Sequence, residues 1–356
     1  MRSHLPICLA ICFLSFASAN THGELPRTAS GHPDLSGTYN IATLTPLQRP
    51  EKYGDKGSIT LEEAKAIEAY WAENLARDAE ASDPDREAPP EGGVEFFVPE
   101  FNGAAGEVGG YNAFYIDLGD STFQLDGEYR TSIITSPTNG RMPSLSEQGM
   151  VAFQAQRANF QKNTGTAWWI NRKTGPYDNP ENRPLAERCL LGFGSTSGPP
   201  ALPVMYNNLK RIIQTEETIT IINEMNHDAR VVRMNQQHLP AHMTSWLGDS
   251  VGHWDGDTLV VDTTNFKQQP ALFMASKDLH VIERFSRIDD NTLRYSFTVN
   301  DPNWVAPWSG EYPWPEVDEK MYEYACHEGN YALGGILRGA RLLEREALAG
   351  DDSSAE

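Results

Sequence analysis

Basic charge is what this 356-residue chain has least of: 29 Lys and Arg stand against 49 Asp and Glu, a formal net charge of −20. A surface of that sign has no electrostatic pull towards phosphate backbones, which excludes nucleic-acid binding of the basic-groove kind. Long apolar runs are scarce as well. The longest, over 5–16, falls short of the roughly twenty residues a membrane helix needs. Recognised chemical motifs are missing in turn. No Gly-rich loop ends in Gly-Lys-Ser/Thr, and Pro199 in Gly194-Ser195-Thr196-Ser197-Gly198-Pro199-Pro200 has no N–H to offer a phosphate. No G-x-G-x-x-G follows a strand, so dinucleotide binding has no support. G-x-S-x-G, H-E-x-x-H and C-x-x-C are absent, and no period of twenty to fifty residues repeats. We therefore expect no cofactor.

Cysteine is nearly absent too, and the four present divide by position. Arg2, the apolar run and Ala17-Ser18-Ala19 before Asn20 read as a secretory signal peptide over 1–19, not as a membrane anchor. Cleavage removes Cys8 and Cys12. Cys189 and Cys326 remain in a protein bound for an oxidising compartment, and we expect them to form one disulfide. The competing reading is a catalytic thiol at Cys326, beside His327 and Glu328. The sequence thus implies a periplasmic or secreted chain with no membrane span after cleavage.

What is present is enough apolar residue, 39%, for a sizeable core. We divide the mature chain into 20–122, an arm, helix and acidic loop lying on the domain, and 123–356, an antiparallel β domain with a C-terminal helix. Thr60-Leu61-Glu62-Glu63 is a capping box, and Ala64, Ile67, Trp71 and Leu75 follow at helical spacing, predicting a helix over about 61–80. Residues 78–107 hold nine acids against Arg86 and read as a solvated loop with the placement of a lid. Period-two patterning predicts a strand over 130–135, and Ser144-Leu145-Ser146-Glu147 opens a helix to about 160. Strands follow over 209–214, 219–225, 229–234, 251–254, 258–263, 279–288, 293–299 and 321–326. Asp255-Gly256 and Asp289-Asp290-Asn291 supply hairpin turns. The fold class is mainly β: an antiparallel curled sheet or lipocalin-like barrel with a few peripheral helices.

Tyr206-Asn207-Asn208, Asn223-Glu224-Met225, His227-Asp228-Ala229-Arg230, Trp246-Leu247-Gly248-Asp249-Ser250, Gly256-Asp257-Thr258 and Tyr322-Glu323-Tyr324-Ala325-Cys326-His327-Glu328-Gly329-Asn330 are long motifs spread over most of the mature chain. On them it resembles a family of exported bacterial proteins of uncharacterised activity. The resemblance implies export and a shared fold and transfers no catalytic residue.

The densest polar cluster is Glu224, His227, Asp228 and Arg230, at the end of an apolar strand. Either it is a general acid–base site, with an imidazole oriented by a carboxylate, or Asp228 and Arg230 form a structural ion pair. His327 and Glu328 are the second catalytic candidates; they meet the first cluster across a lumen or cap the C-terminal helix. His227, His253 and His327 are the set a metal would use, although their spacing signals none. His238 and His242 are separated by Pro240, against a shared helix face. Arg141, Tyr206, Asn207, Arg230, Arg284 and Trp308 are candidate substrate contacts. Trp304, Trp308, Tyr312, Trp314, Tyr322 and Tyr324, broken by Pro302, Pro307, Pro313 and Pro315, form a loop that rims or plugs the barrel.

Two functions remain. One is a cofactor-independent enzyme of lyase, isomerase or hydrolase type, using His and carboxylate chemistry on a small apolar or aromatic substrate. The other is a lipocalin-like binding protein without catalysis. Its partner in either case is a small molecule.

Overall fold

Alternation of inward and outward residues in the second half of the chain builds one large sheet. The computed structural model describes residues 25–78, 85, 116–159, 161 and 165–353. The stretch read as a signal peptide, 1–19, and nearly all of the stretch read as an acidic loop, 78–107, lie outside the described residues. In chain order the strands are β1 (Gly37–Asn40), β2 (Ser58–Ile59), β3 (Gln124–Leu125), β4 (Glu128–Arg130), β5 (Ile134–Ser136), β6 (Leu209–Gln214) and β7 (Thr218–Asn223). They continue as β8 (Ala229–Met234), β9 (Asp249–Asp255), β10 (Thr258–Thr264), β11 (His280–Asp289), β12 (Thr292–Asn300) and β13 (Trp308–Pro315). The helices are α1 (Leu61–Asp78), α2 (Glu147–Arg157) and α3 (Tyr331–Ser353). None of the described helices is long and apolar enough to cross a membrane.

Ten strands hydrogen-bond in the order β1-β6-β7-β8-β9-β10-β11-β12-β13-β5, and β2-β4-β3 form a small second sheet. The large sheet curls into a half-barrel until its ends approach: Glu316, just past β13, bridges Tyr39 of β1, and the Val317 N–H donates to the Thr38 carbonyl at 2.8 Å. The fold is mainly β, as expected, and part of the N-terminal arm is itself a strand of the sheet.

Local chemistry explains the predicted elements that formed. The Thr60 N–H donates to Glu63 Oε2 at 2.8 Å and the Glu63 N–H to Thr60 Oγ1 at 3.2 Å, the reciprocal capping box that starts α1. Ser146 Oγ accepts the Gly149 N–H and starts α2. Gly256, at φ +59°, turns β9 into β10.

Four elements differ from the sequence reading. The strand predicted over 130–135 is two strands, because Thr131 and Ser132 turn their hydroxyls onto the Lys56 and Ile134 carbonyls and pass the chain between sheets. The aromatic, proline-rich stretch is β13, not a loop. Trp308, Tyr312 and Trp314 point inward and are buried, while Pro313 opposes Arg294 beyond the two residues that pair with β5, where a missing N–H costs no ladder bond. Residues 321–326 are not a strand but an irregular strap. Finally, β8 and β9 run parallel, with Val232 opposite Ser250, so residues 235–248 make a crossover.

That crossover is clamped by side chains. His238 Nδ1 lies 3.0 Å from Asp249 Oδ2 and its Nε2 3.2 Å from Asp262 Oδ1, while His280 Nε2 reaches the same Asp262 oxygen at 2.9 Å. Arg233 and the Leu239 N–H also donate to Asp249.

The concave face of the sheet holds the core. Phe285, Tyr295, Tyr312 and Trp314 form one cluster of tilted and edge-on rings, with centroids 4.7–6.3 Å apart. Such pairs add about 0.5–1.5 kcal/mol each beyond area burial.

Candidate active site

Parity along β6 places Lys210 on the inward face with Ile212, and the β6–β7 register sets it opposite Asn223. The lysine is 0% exposed. Among the described residues its Nζ has one hydrogen bond, to Thr196 Oγ1 at 2.9 Å, and no ion pair. Thr196, also 0% exposed, belongs to the glycine- and proline-rich segment that enters the concave side. An ammonium carries three donors; here a single hydroxyl oxygen faces them, so the uncharged amine suits the site better. Burial pulls the amine down from 10.5 to about 7, against the opposing pull of Glu224 and Asp228.

Asp228 moves the other way. Burial raises its carboxyl above the ordinary range, although the Ser197 hydroxyl and the Gly192 N–H both donate to it and Lys210 stands near. Gly192 is where the chain passes closest: a Cβ there would strike the Met225 side chain. The corner between β7 and β8 thus holds an amine and a carboxyl whose protonation ranges are drawn together.

Glu224 and His227 belong to the same corner but serve it differently. Glu224 Oε1 accepts the Tyr322 N–H at 3.2 Å, and His227 Nε2 accepts the Tyr324 N–H at 3.2 Å. Both moor the strap over 321–326. Cys189 and Cys326 form the expected disulfide and tie the end of that strap to the segment leading into Gly192. The catalytic-thiol reading of Cys326 falls with it.

Arg230 is inward and 3% exposed, yet its partner is not Asp228. It pairs with both oxygens of Glu283 on β11, which is 0% exposed. The Tyr295 hydroxyl donates to Glu283 at 2.8 Å and accepts the Ala201 N–H, and the Tyr312 hydroxyl donates to the Ala201 carbonyl. Burial would lower the guanidinium pKa, and the Glu283 carboxylate more than reverses that. This is a second buried charge network, continuous with the segment that carries Thr196.

The remaining candidates lie elsewhere. His327 and Glu328 sit exposed in the turn after the disulfide; they face no lumen because 321–326 is not a strand, and α3 is capped by Asn330, whose Oδ1 accepts the Leu333 N–H. His253 is outward on β9, and His227 is exposed. Among the described residues no group of three or more His, Cys, Asp or Glu could hold a metal, so His227, His253 and His327 do not converge. Arg284 is the outward member of Glu283-Arg284, 3.7 Å from exposed Asp255. Arg141 lies after the β5 turn, where it donates to the Arg49 carbonyl. Trp308 is core on β13, edge-on to Phe297 and Trp304. Tyr206 is buried against Phe193 and Asn207 takes a left-handed φ of 54°; both belong to the segment leading into β6.

Lys210 and Thr196 escaped the sequence reading; of Glu283-Arg284 the mid-strand position predicts one inward residue, and that residue is Glu283, although its pairing with Arg230 was not expected. Leu209-Lys210-Arg211-Ile212-Ile213 leaves the face of the lysine ambiguous, but a hairpin with Asn223 opposite it was the available signal. Compared with known proteins, the chain matches no family model, no curated protein and no solved structure.

Proposed function

We propose that the protein is an exported, cofactor-independent acid–base enzyme whose proton-transfer pair is Lys210 and Asp228, acting on a small apolar or aromatic substrate. The observation that carries the reading is the buried amine with one hydroxyl partner. A lysine so placed serves as a base at neutral pH, and the Asp228 carboxyl, raised by burial above its ordinary range, is the group beside it that can exchange the proton. The acid–base chemistry expected of His227 and Glu224 passes to the groups beneath them, and those two residues act through the strap. A carrier that only fills an apolar cavity has no use for a buried amine and carboxyl at one corner, which is why we favour the enzyme. Export to the periplasm, and membership of the exported family that the motifs resemble, belong to the same proposal; the signal sequence and the disulfide support it.

The test starts from the mature protein purified from a periplasm. Native mass spectrometry identifies any co-purifying small molecule, and turnover is assayed on that molecule together with a panel of small aromatic esters, aldehydes and ketones. Lys210→Met and Asp228→Asn should each lower turnover by about 10²-fold or more with the circular dichroism spectrum unchanged. Full activity in both variants, or binding with no turnover in the native protein, would sink the reading.

A further inference from the structure

We infer that Lys210 reacts covalently, forming a Schiff base with a small aldehyde or ketone; this names the substrate class of the acid–base reading and rests on it.

Three observations converge on one atom. Nζ is withdrawn from water, and among the described residues it meets one hydroxyl and no ion pair, a setting that keeps a lone pair free for attack. The Thr196 hydroxyl, 2.9 Å away, orients that amine. Asp228, near enough for its charge to act on Lys210, is held towards its protonated form by burial. A base alone requires only the first of these. Imine formation uses all three.

The step balances without any further reagent. The amine nitrogen attacks the carbonyl carbon, and one of its protons passes to the carbonyl oxygen, giving a carbinolamine. Asp228 then donates its proton to the carbinolamine hydroxyl, the C–O bond breaks, and water leaves. The nitrogen lone pair forms the C=N bond, so the products are a protonated imine on Lys210 and a carboxylate on Asp228. The step leaves a compact ion pair inside the fold, and hydrolysis runs the same steps in reverse.

Glu224, whose charge acts on Lys210, also accepts the Tyr322 N–H, which links the strap to the surroundings of the amine. Its tether is the Cys189–Cys326 bond. Carbonyl reagents smaller than an aromatic ring are therefore the first probes.

The experiment incubates the mature protein with acetone, and in parallel with acetaldehyde, at pH 7. Sodium borohydride then fixes any imine, and the modified lysines are located by peptide mass spectrometry. A second arm uses protein whose disulfide has been opened with a phosphine, so that the strap does not decide the result. The expected outcome is labelling of Lys210 in preference to Lys56 and Lys277, whose side chains are 47% and 59% exposed, by about tenfold or more. Asp228→Asn should slow it by roughly 10²-fold. A purely structural buried lysine gives the opposite ranking, with the exposed lysines modified and Lys210 intact, and that ranking in both arms overturns the inference. ¹⁵N NMR of the Lys210 amine separates the two readings. An amine that titrates near neutrality without forming an adduct removes the Schiff base and leaves the acid–base enzyme. An amine that stays an ammonium through pH 9 removes both.

Discussion

Lys210 and Arg230 face the same interior, and the two cations are accommodated in opposite ways. Arg230 cannot shed its proton, so it brings a carboxylate with it; Glu283 answers both nitrogens and Tyr295 completes the set. Lys210 can shed its proton and has no ion pair among the described residues. The difference is measurable as a pH dependence. A lysine whose folded pKa is about 7 against an ordinary 10.5 binds fewer protons in the native state than in the unfolded chain between those values. Its contribution to stability therefore rises with pH across that window and is flat above it. Urea titrations from pH 6.5 to 10 should show wild type gaining on Lys210→Met as pH rises, with the gap constant beyond about 10.5. A constant gap throughout would mean that the amine is charged in the fold. Sequence alone reached Asp228 and Arg230 as groups that must be compensated inside. It did not reach their partners, because Glu283 and Thr196 are brought there by pairing and by a loop path that no local pattern encodes.

Elements carry the next level of consequence. The parallel β8–β9 pair forces a crossover, and the crossover is held by two imidazoles on two carboxylates. Hydrogen bonding to Asp262 raises the His280 pKa. Burial pushes Asp249 and Asp262 upward, but donors from Leu239, His238 and Arg233 on the first, and from His280 and His238 on the second, bring both below the ordinary range. The histidine contribution is complete below the ordinary His value and is lost as pH rises through the raised one. The carboxylate contribution is complete above the ordinary Asp value and is lost as pH falls through the lowered one. The clamp is tightest between those limits, so amide protection over 235–248, taken relative to the intrinsic exchange rate at each pH, should be greatest in mildly acidic buffer and fall towards pH 8. In His238→Ala, exchange there should be faster at every pH; an unchanged exchange map would show that the backbone holds the crossover without the histidine. Hairpins such as β9–β10 and β11–β12 were legible from alternation and turn residues. β13 was not, because its prolines read as breakers until the open side of the strand is known. The strap was read as a strand because its tyrosines and Cys326 alternate, although they moor to the β7–β8 corner and to Cys189 instead of to a neighbouring strand.

For the whole molecule, two long-range closures matter: the disulfide across 137 residues and the seam where β1 meets both β6 and the end of β13. A loop of that length places the disulfide near the upper part of the usual range, about 4 kcal/mol, most of it through the unfolded chain. Cys189→Ser with Cys326→Ser should lower the denaturation midpoint accordingly and free the strap; a midpoint unchanged from wild type would assign the bond no part in stability. That pairing could be read from the sequence because only two cysteines survive the proposed cleavage. The seam could not, since nothing local to Gly37–Asn40 names Leu209 or Glu316 as its neighbours. The seam also sets an order of events during biosynthesis. Thr38 emerges early, yet Arg211, which donates to its hydroxyl, follows 173 residues later, and Val317, which seals its other side, comes only just before α3. A chain that has emerged no further than β13 would hold β1 zipped along one flank alone, so the curl is sealed last, at Glu316 and Val317.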